Sequence, residues 1–155
     1  MKSVALAAFL AISLLHAAYS TQGAPTMDLA GFTALLSEVA TGWNANDARR
    51  AADAFHEDAI YTEPPDRQVY RGRRELFEFF GGEAGRKDWM RMTWHHISFN
   101  ETTQTGAGEF TFEWPGGRAH GMTSIKLRDG RIAHWREYFR ESELAWDDFQ
   151  GVNRF

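Results

Sequence analysis

The chain has 155 residues, 43% of them hydrophobic and 25% charged, which is the profile of one ordinary globular domain. Its formal charge of -4, with no run of Lys or Arg, excludes a nucleic-acid partner, because phosphate binding needs a basic stripe. The absence of cysteine excludes a disulfide framework, a thiolate metal site and a cysteine nucleophile.

In chain order, Lys2 precedes an apolar run from Val4 to Leu15 that is shorter than the roughly 20 residues a bilayer span requires. Ala18, Tyr19 and Ser20 then place small residues at the first and third positions before Thr21. This predicts an export signal over residues 1–20, cleaved after Ser20. The mature chain is then secreted or periplasmic, with no stable membrane anchoring after cleavage, and one unit more acidic through the loss of Lys2.

Leu29, Phe32, Leu36, Val39 and Trp43 recur at three- and four-residue steps and predict a helix over 28–43 with that face in the core. Asn46 or Asp47 can cap a second helix carrying Ala48, Ala51, Ala52 and Phe55 as far as residue 58. A short strand over 59–63 stops at Pro64 and Pro65, since proline cannot donate to a ladder. Gly72 leads into a third helix with Leu76, Phe77 and Phe80, ended by Gly81 and Gly82.

From Trp89 onward the period changes to two: Met90, Met92 and Trp94, then Phe110, Phe112 and Trp114, then Ile125 and Leu127, then Trp135, Glu137 and Phe139. These predict four strands joined by hairpin-length turns, hence sequential antiparallel pairing. Ile97 and Phe99 are out of step with Met90 and Met92, which predicts a bulge after His95. The expected architecture is α+β: three N-terminal helices on a strongly bent antiparallel sheet, with a short C-terminal helix. Leu29, Phe32, Leu36, Val39, Phe55 and Phe77 are expected to lie buried between helices and sheet.

The segments Trp43-Asn-Ala-Asn-Asp47, Phe55-His-Glu-Asp-Ala-Ile-Tyr61, Pro65 and Gly72 resemble, in order and spacing, the SnoaL-like branch of the NTF2-like superfamily. The ending from Asp129 through Trp135-Arg-Glu-Tyr-Phe139 is similar to that branch's last hairpin. The resemblance covers residues 27–149, after a signal at 1–20 and before a tail at 150–155, and implies a cone-shaped fold around one small-molecule pocket. Relatives include ketosteroid isomerases, limonene-epoxide hydrolases and polyketide cyclases, and also proteins that only bind, so function has to come from the pocket residues.

Glu63 stands immediately before Pro64, where the resemblance to ketosteroid isomerases implies a proton-transfer base. Tyr61 matches the water-positioning tyrosine of the epoxide hydrolases, whose asparagine is replaced here by Glu63. Glu137 occupies the place of those hydrolases' water-activating carboxylate. Period two sets it between Trp135 and Phe139, where desolvation would raise its pKa into the range useful to a general acid or base. A structural pairing of Glu137 with Arg136, Arg140 or an arginine of another strand is the competing reading. Each relative's site is incomplete here: the hydrolases' arginine falls at Ala107, and the isomerases' oxyanion donors fall at Val39 and Thr123. Glu109 and Glu113 alternate with aromatics and are expected to face outward.

The candidate catalytic set is therefore Glu137, Glu63 and Tyr61, with Trp135, Phe139, His95, His96, Trp94 and Phe80 as candidate ligand-binding residues. No cofactor and no metal is expected. His56-Glu57 lacks a second His four residues on, where Ile60 stands. Two classes of function remain. One is a cofactor-independent acid-base enzyme of hydrolase, isomerase or cyclase type acting on a small hydrophobic oxygen-bearing molecule. The other is a non-catalytic ligand-binding or dimerisation module, with a homodimer expected in either case. N-terminal sequencing of the exported protein is expected to begin at or near Thr21; material beginning at Met1 would overturn the export signal.

Overall fold

A computed structural model describes residues 26–63 and 68–154. The expected export signal, Pro64 and Pro65 lie outside the described residues. Helix α1 spans Leu29–Asn44, with the Asp28 side chain accepting from the Gly31 amide as N-cap. Helix α2 spans Ala48–Asp53, capped in the same way by Asp47. Strand β1 covers Phe55–Thr62 and strand β2 covers Val69–Arg71. Helix α3 covers Gly72–Phe79, followed by a 3-10 turn at Gly82–Ala84. Strands β3 (Arg91–Asn100), β4 (Thr105–Trp114), β5 (Gly117–Arg128) and β6 (Arg131–Glu141) precede a four-residue helix α4, Trp146–Phe149.

The six strands form one curved sheet in the order β2-β1-β6-β5-β4-β3. The four long strands pair sequentially and antiparallel, as their turns imply. At the β5–β6 turn Asp129 and Gly130 both take positive φ, 51° and 72°, the geometry that fits the right-handed twist of the flanking strands. The bulge falls where the alternation predicts it: Trp94 pairs with Phe110 but Ile97 with Gly108, so β3 holds one extra residue around His95 and His96. Beyond the bulge Ile97 and Phe99 return to the core face, and Phe99 stacks on Phe32 of α1 at 4.4 Å.

Three features depart from the expectation. Phe55 to Asp58 extend as strand rather than continuing the second helix, because Phe55 pairs with Ile132 and donates its side chain to the core from β1. Local period cannot separate the two states over so short a run. Second, β1 runs parallel to β6, so the sheet is mixed rather than antiparallel. Third, Leu29 in the first turn of α1 is 45% exposed, and Phe77 is only half-buried, its ring covered by the Arg49 guanidinium at 4.9 Å.

The remaining core is as patterned: Phe32, Leu36, Val39, Phe55, Leu76, Phe110 and Ile132 are fully buried between helices and sheet. Glu109, Thr111 and Glu113 lie on the outer face, where Glu113 pairs with Arg118 at 2.8 Å. Replacing Phe55 by Ala is expected to cost about 3 to 5 kcal/mol as a large core deletion. Chemical denaturation showing a loss below about 1 kcal/mol would contradict its place in the core.

Candidate active site

A cavity of about 390 Å³ lies between the helices and the concave face of the sheet. Trp43 of α1, Phe80 after α3, and Phe112 and Trp114 of β4 supply aromatic walls. The exposed Phe139 and Glu141 of β6 mark its open side. Tyr61 and Glu63 also line it.

Strand pairing explains how the acids meet. Tyr61 lies opposite Trp135 and Thr62 opposite Arg136 in the parallel β1–β6 ladder, so continuing the register one residue sets Glu63 against Glu137. Alternation then sends Tyr61, Glu63, Trp135 and Glu137 to the same face. The Tyr61 and Trp135 rings stack at 5.6 Å with an interplanar angle of 9°.

Glu137 is wholly buried. It does not line the cavity but lies one layer behind the wall formed by Tyr61 and Glu63. The Tyr61 hydroxyl donates to its Oε1 at 3.1 Å and the Trp135 indole N–H donates to its Oε2 at 2.7 Å. No arginine pairs with it among the described ion pairs. The structural Arg-Glu reading therefore has no geometric support.

Burial pushes the Glu137 carboxyl well above the ordinary carboxylate range, and the neighbouring Glu63 charge adds to that rise. The two donors pull the other way without reversing it. Burial also raises Glu63, while its hydrogen bond with Glu137 lowers it. Two ionised carboxylates have only acceptors to offer one another, and the buried Glu63 Oε2 meets no donor on that footing. Burial raises both carboxyls, Glu137 the more strongly, which is the arrangement that favours keeping one proton on the pair. Burial and the two acids together push the Tyr61 hydroxyl well above 10, so it remains a donor.

The candidate binding residues separate into three groups. Phe80 and Phe139 line the cavity. Trp135 lies behind it, spending its indole on Glu137. Trp94, His95 and His96 lie elsewhere. The Trp94 indole donates to the Leu36 carbonyl at 2.9 Å beneath α1. His95, shifted by the bulge, bonds Thr111 Oγ1 at 2.7 Å and stacks flat on Trp146 of α4 at 4.0 Å, on the outer side of the sheet. His96 is exposed. Among the described residues no group of three His, Asp or Glu could hold a metal ion.

Sequence reasoning passed over Trp43, Gln68, Arg86, Met90 and Phe112, all of which line the cavity. Trp43 and Phe112 look like any other core position in their periodic patterns. Arg86 sits in a glycine-flanked loop with no motif around it.

A profile for the SnoaL-like domain matches residues 26–135. The chain belongs to the SnoaL-like family. No functionally curated protein matches it. Among solved structures it is similar to an NTF-2-like protein of unknown function from Burkholderia xenovorans LB400, at TM-score 0.63 and 20% identity over 81% of this chain and 96% of that one. It is also similar to an LEH-like epoxide hydrolase from M. tuberculosis, at TM-score 0.60 and 20% identity, covering 72% and 84%. A candidate ketosteroid isomerase from Kribbella flavida DSM 17836 gives 0.62 and 18%, covering 83% and 92%. At these identities the likeness establishes the NTF2-like fold.

The raised Glu137 carboxyl makes a signed prediction. Folding holds it protonated above the ordinary value near 4.5, so its stabilising contribution is complete below that value and is lost as pH rises through its elevated folded pKa. Glu137→Gln, which cannot ionise, is expected to flatten this part of the stability profile. Thermal midpoints of both proteins between pH 4 and pH 9 test it, and parallel curves would show that Glu137 is not a raised acid.

Proposed function

We propose that this SnoaL-like domain is a cofactor-independent acid-base enzyme acting on a small hydrophobic oxygen-bearing molecule, in the hydrolase, isomerase or cyclase class of chemistry. One observation carries the reading: a wall carboxylate, Glu63, backed by a wholly buried carboxyl, Glu137, that is held by Tyr61 and Trp135 beside an apolar cavity. Glu63 is the group that faces the ligand and takes or returns its proton. A carboxylate raised by burial is a better base than one in water, and a general base works best when its pKa approaches the working pH.

Glu137 is a positioning residue in this scheme. Its proton holds Glu63 in place, and its own geometry is fixed by Tyr61 and Trp135. The active state is the singly protonated pair, so rate is expected to fall both where a second proton binds and where the last one leaves, the two apparent values belonging to the pair. The LEH-like and ketosteroid-isomerase neighbours support the class, since both names describe proton-transfer or water-addition chemistry on this fold.

We place this activity outside the cytoplasm, following the export signal expected over residues 1–20. A binding and dimerisation module is the second reading, favoured by the exposed Met122 and Tyr138, which pair across β5 and β6 on the outer face of the sheet.

Turnover of a panel of epoxides, lactones and enones by the mature protein decides between the two. Glu63→Gln is expected to lower the rate by about 10² to 10⁴, the usual contribution of a positioned acid or base. Tyr61→Phe should change the pH limits more than the maximal rate. No turnover of any panel member by the wild type, together with retained ligand binding, would leave the binding module.

A further inference from the structure

Gln68 stands one residue before β2 and, like Glu63, lines the cavity. The β1–β2 ladder matches Tyr61 with Tyr70 and Thr62 with Val69, and the Glu63 amide donates to the Gln68 carbonyl at 3.0 Å. The antiparallel register therefore sets Gln68 directly opposite Glu63. Residues opposite one another in such a pair send their side chains to the same face, with Cβ atoms about 4.5 to 5.5 Å apart. Together with the β1–β6 and β5–β6 registers, this lays one polar row across the inner face of the sheet, in the order Gln68, Glu63, Glu137 and Thr123. A row of rings, Tyr70, Tyr61 and Trp135, lies beside it.

The orientation of the Gln68 amide is set by its neighbour. Tyr70, two residues on and so on the same face, brings its hydroxyl to 2.7 Å from Gln68 Oε1. That distance is usual for an O–H donor and short for an N–H donor, which fits the amide oxygen on this side and leaves Nε2 on the other. The Tyr70 ring is itself fixed, stacked on Phe79 at 3.9 Å and set edge-on to Tyr61 at 6.1 Å. Burial raises the Tyr70 pKa above its ordinary value and the Glu63 charge raises it further, so the hydroxyl keeps its proton and donates.

Gln68 Nε2 donates to no described residue. It is also not among the three polar atoms of the described residues that are sealed without a partner, which are Trp43 Nε1, Glu63 Oε2 and Arg86 Nε. A fixed amide on a half-buried residue thus presents an open donor next to the wall carboxylate, and a ligand group in the cavity is the partner that this arrangement fits.

The charges around the cavity restrict that group to an uncharged acceptor. Glu63 and Glu141 line the cavity and Glu137 lies behind Glu63, so a ligand anion at Gln68 would sit among carboxyls. Arg86, the cation among the lining residues, donates through Nη1 to the Phe80 carbonyl at 3.1 Å and through Nη2 to the Trp43 carbonyl, where it joins the C-terminal ends of α1 and α3. Those ends carry partial negative charge, which the guanidinium balances.

We propose that Gln68 is the specificity-determining residue of the cavity: its Nε2, aimed by the Tyr70 hydroxyl, donates to an uncharged carbonyl oxygen of the ligand and sets the adjoining ligand atom beside Glu63. The inference rests on the acid-base reading and names its substrate class, an apolar ketone, ester or lactone. A carbonyl suits the site better than an ether oxygen because it is the stronger acceptor and because it acidifies the C–H beside it, the proton a carboxylate can take. Negative charge that develops on the oxygen as that proton leaves is then met by a donor already in place. Tyr70 is a positioning residue, acting on the ligand through the amide.

Calorimetric titration of the protein with propiophenone, propylbenzene and 3-phenylpropanoate tests the assignment, since the three share an apolar body and differ at the oxygen group. Wild type is expected to bind propiophenone, and to bind 3-phenylpropanoate more weakly than the ketone. Gln68→Met keeps the length of the side chain and removes the donor. It is expected to weaken propiophenone about tenfold, the effect of leaving one buried oxygen unpaired, and to leave propylbenzene within about twofold. The carbonyl stretching frequency of bound propiophenone is expected to rise in Gln68→Met, whereas a loosened cavity that admits water would lower it. Tyr70→Phe keeps the stack on Phe79 and frees the amide to turn, and is expected to give a smaller loss for the ketone, about threefold, with propylbenzene unchanged.

No binding of propiophenone by the wild type, tighter binding of 3-phenylpropanoate than of the ketone, or equal affinity of wild type and Gln68→Met for propiophenone overturns the proposal. An equal loss of propylbenzene in Gln68→Met overturns it as well, because the variant would then report cavity shape. Wild-type affinity for the ketone in Tyr70→Phe overturns the role given to Tyr70. These titrations need no turnover, so a wild type inert towards every epoxide, lactone and enone would end the acid-base reading while binding alone decides the Gln68 site.

Discussion

The parallel ladder between β1 and β6 is the constraint on which the site depends. It joins a strand near the start of the domain to one near its end, and its register stacks Tyr61 on Trp135 and sets Glu63 against Glu137. A slip of one residue would turn the slipped strand's pair, Tyr61 and Glu63 on β1 or Trp135 and Glu137 on β6, to the opposite face, because the strand period is two. Phe55 and Ile132 are buried at one end of the ladder, and Ile132 donates its amide to the Ala54 carbonyl at 3.0 Å.

Placing two carboxyls together in an apolar interior is unfavourable unless one is neutral. The structure meets that condition by depth. Glu137 is sealed from solvent and given one phenolic and one indole donor, whereas Glu63 remains half-buried at the cavity wall. The difference in burial raises Glu137 the more strongly and leaves Glu63 as the member that lines the cavity. Aromatic side chains are suited to this surround, since they exclude water over a large area while Tyr and Trp still contribute a donor at the edge.

The outer face of the sheet is organised around a different polar chain. Thr111 Oγ1 bridges His95 and His120, and His120 Nε2 donates to the Leu144 carbonyl at 2.9 Å. Trp146 and Phe149 of α4 cover the two imidazoles. These contacts dock the C-terminal segment against β3, β4 and β5, so His95, which a sequence reading assigns to the pocket, serves the opposite side of the sheet. Burial lowers the His95 pKa, as does the nearby His120, in keeping with a neutral ring used for packing.

The sequence by itself determined the α+β class, the SnoaL-like resemblance, the sequential hairpins of β3 to β6 and the bulge at His95. Each is written in a local period or turn, where neighbouring residues report on the same backbone. It also singled out Tyr61, Glu63 and Glu137 and the inner face of β6, because alternation fixes faces without knowledge of partners. It could not settle Phe55, whose spacing suits a helix until pairing with Ile132 makes it strand. Nor could it place Glu137 behind the wall instead of on it, or separate cavity residues such as Trp43 and Phe112 from core. Arg86 carried no local mark at all, since its role arises from the meeting of two helix ends with a loop. Those decisions belong to the tertiary structure because they depend on which distant segments share a surface, and burial, which sets both proton affinity and the cost of an unpaired donor, exists only once they do.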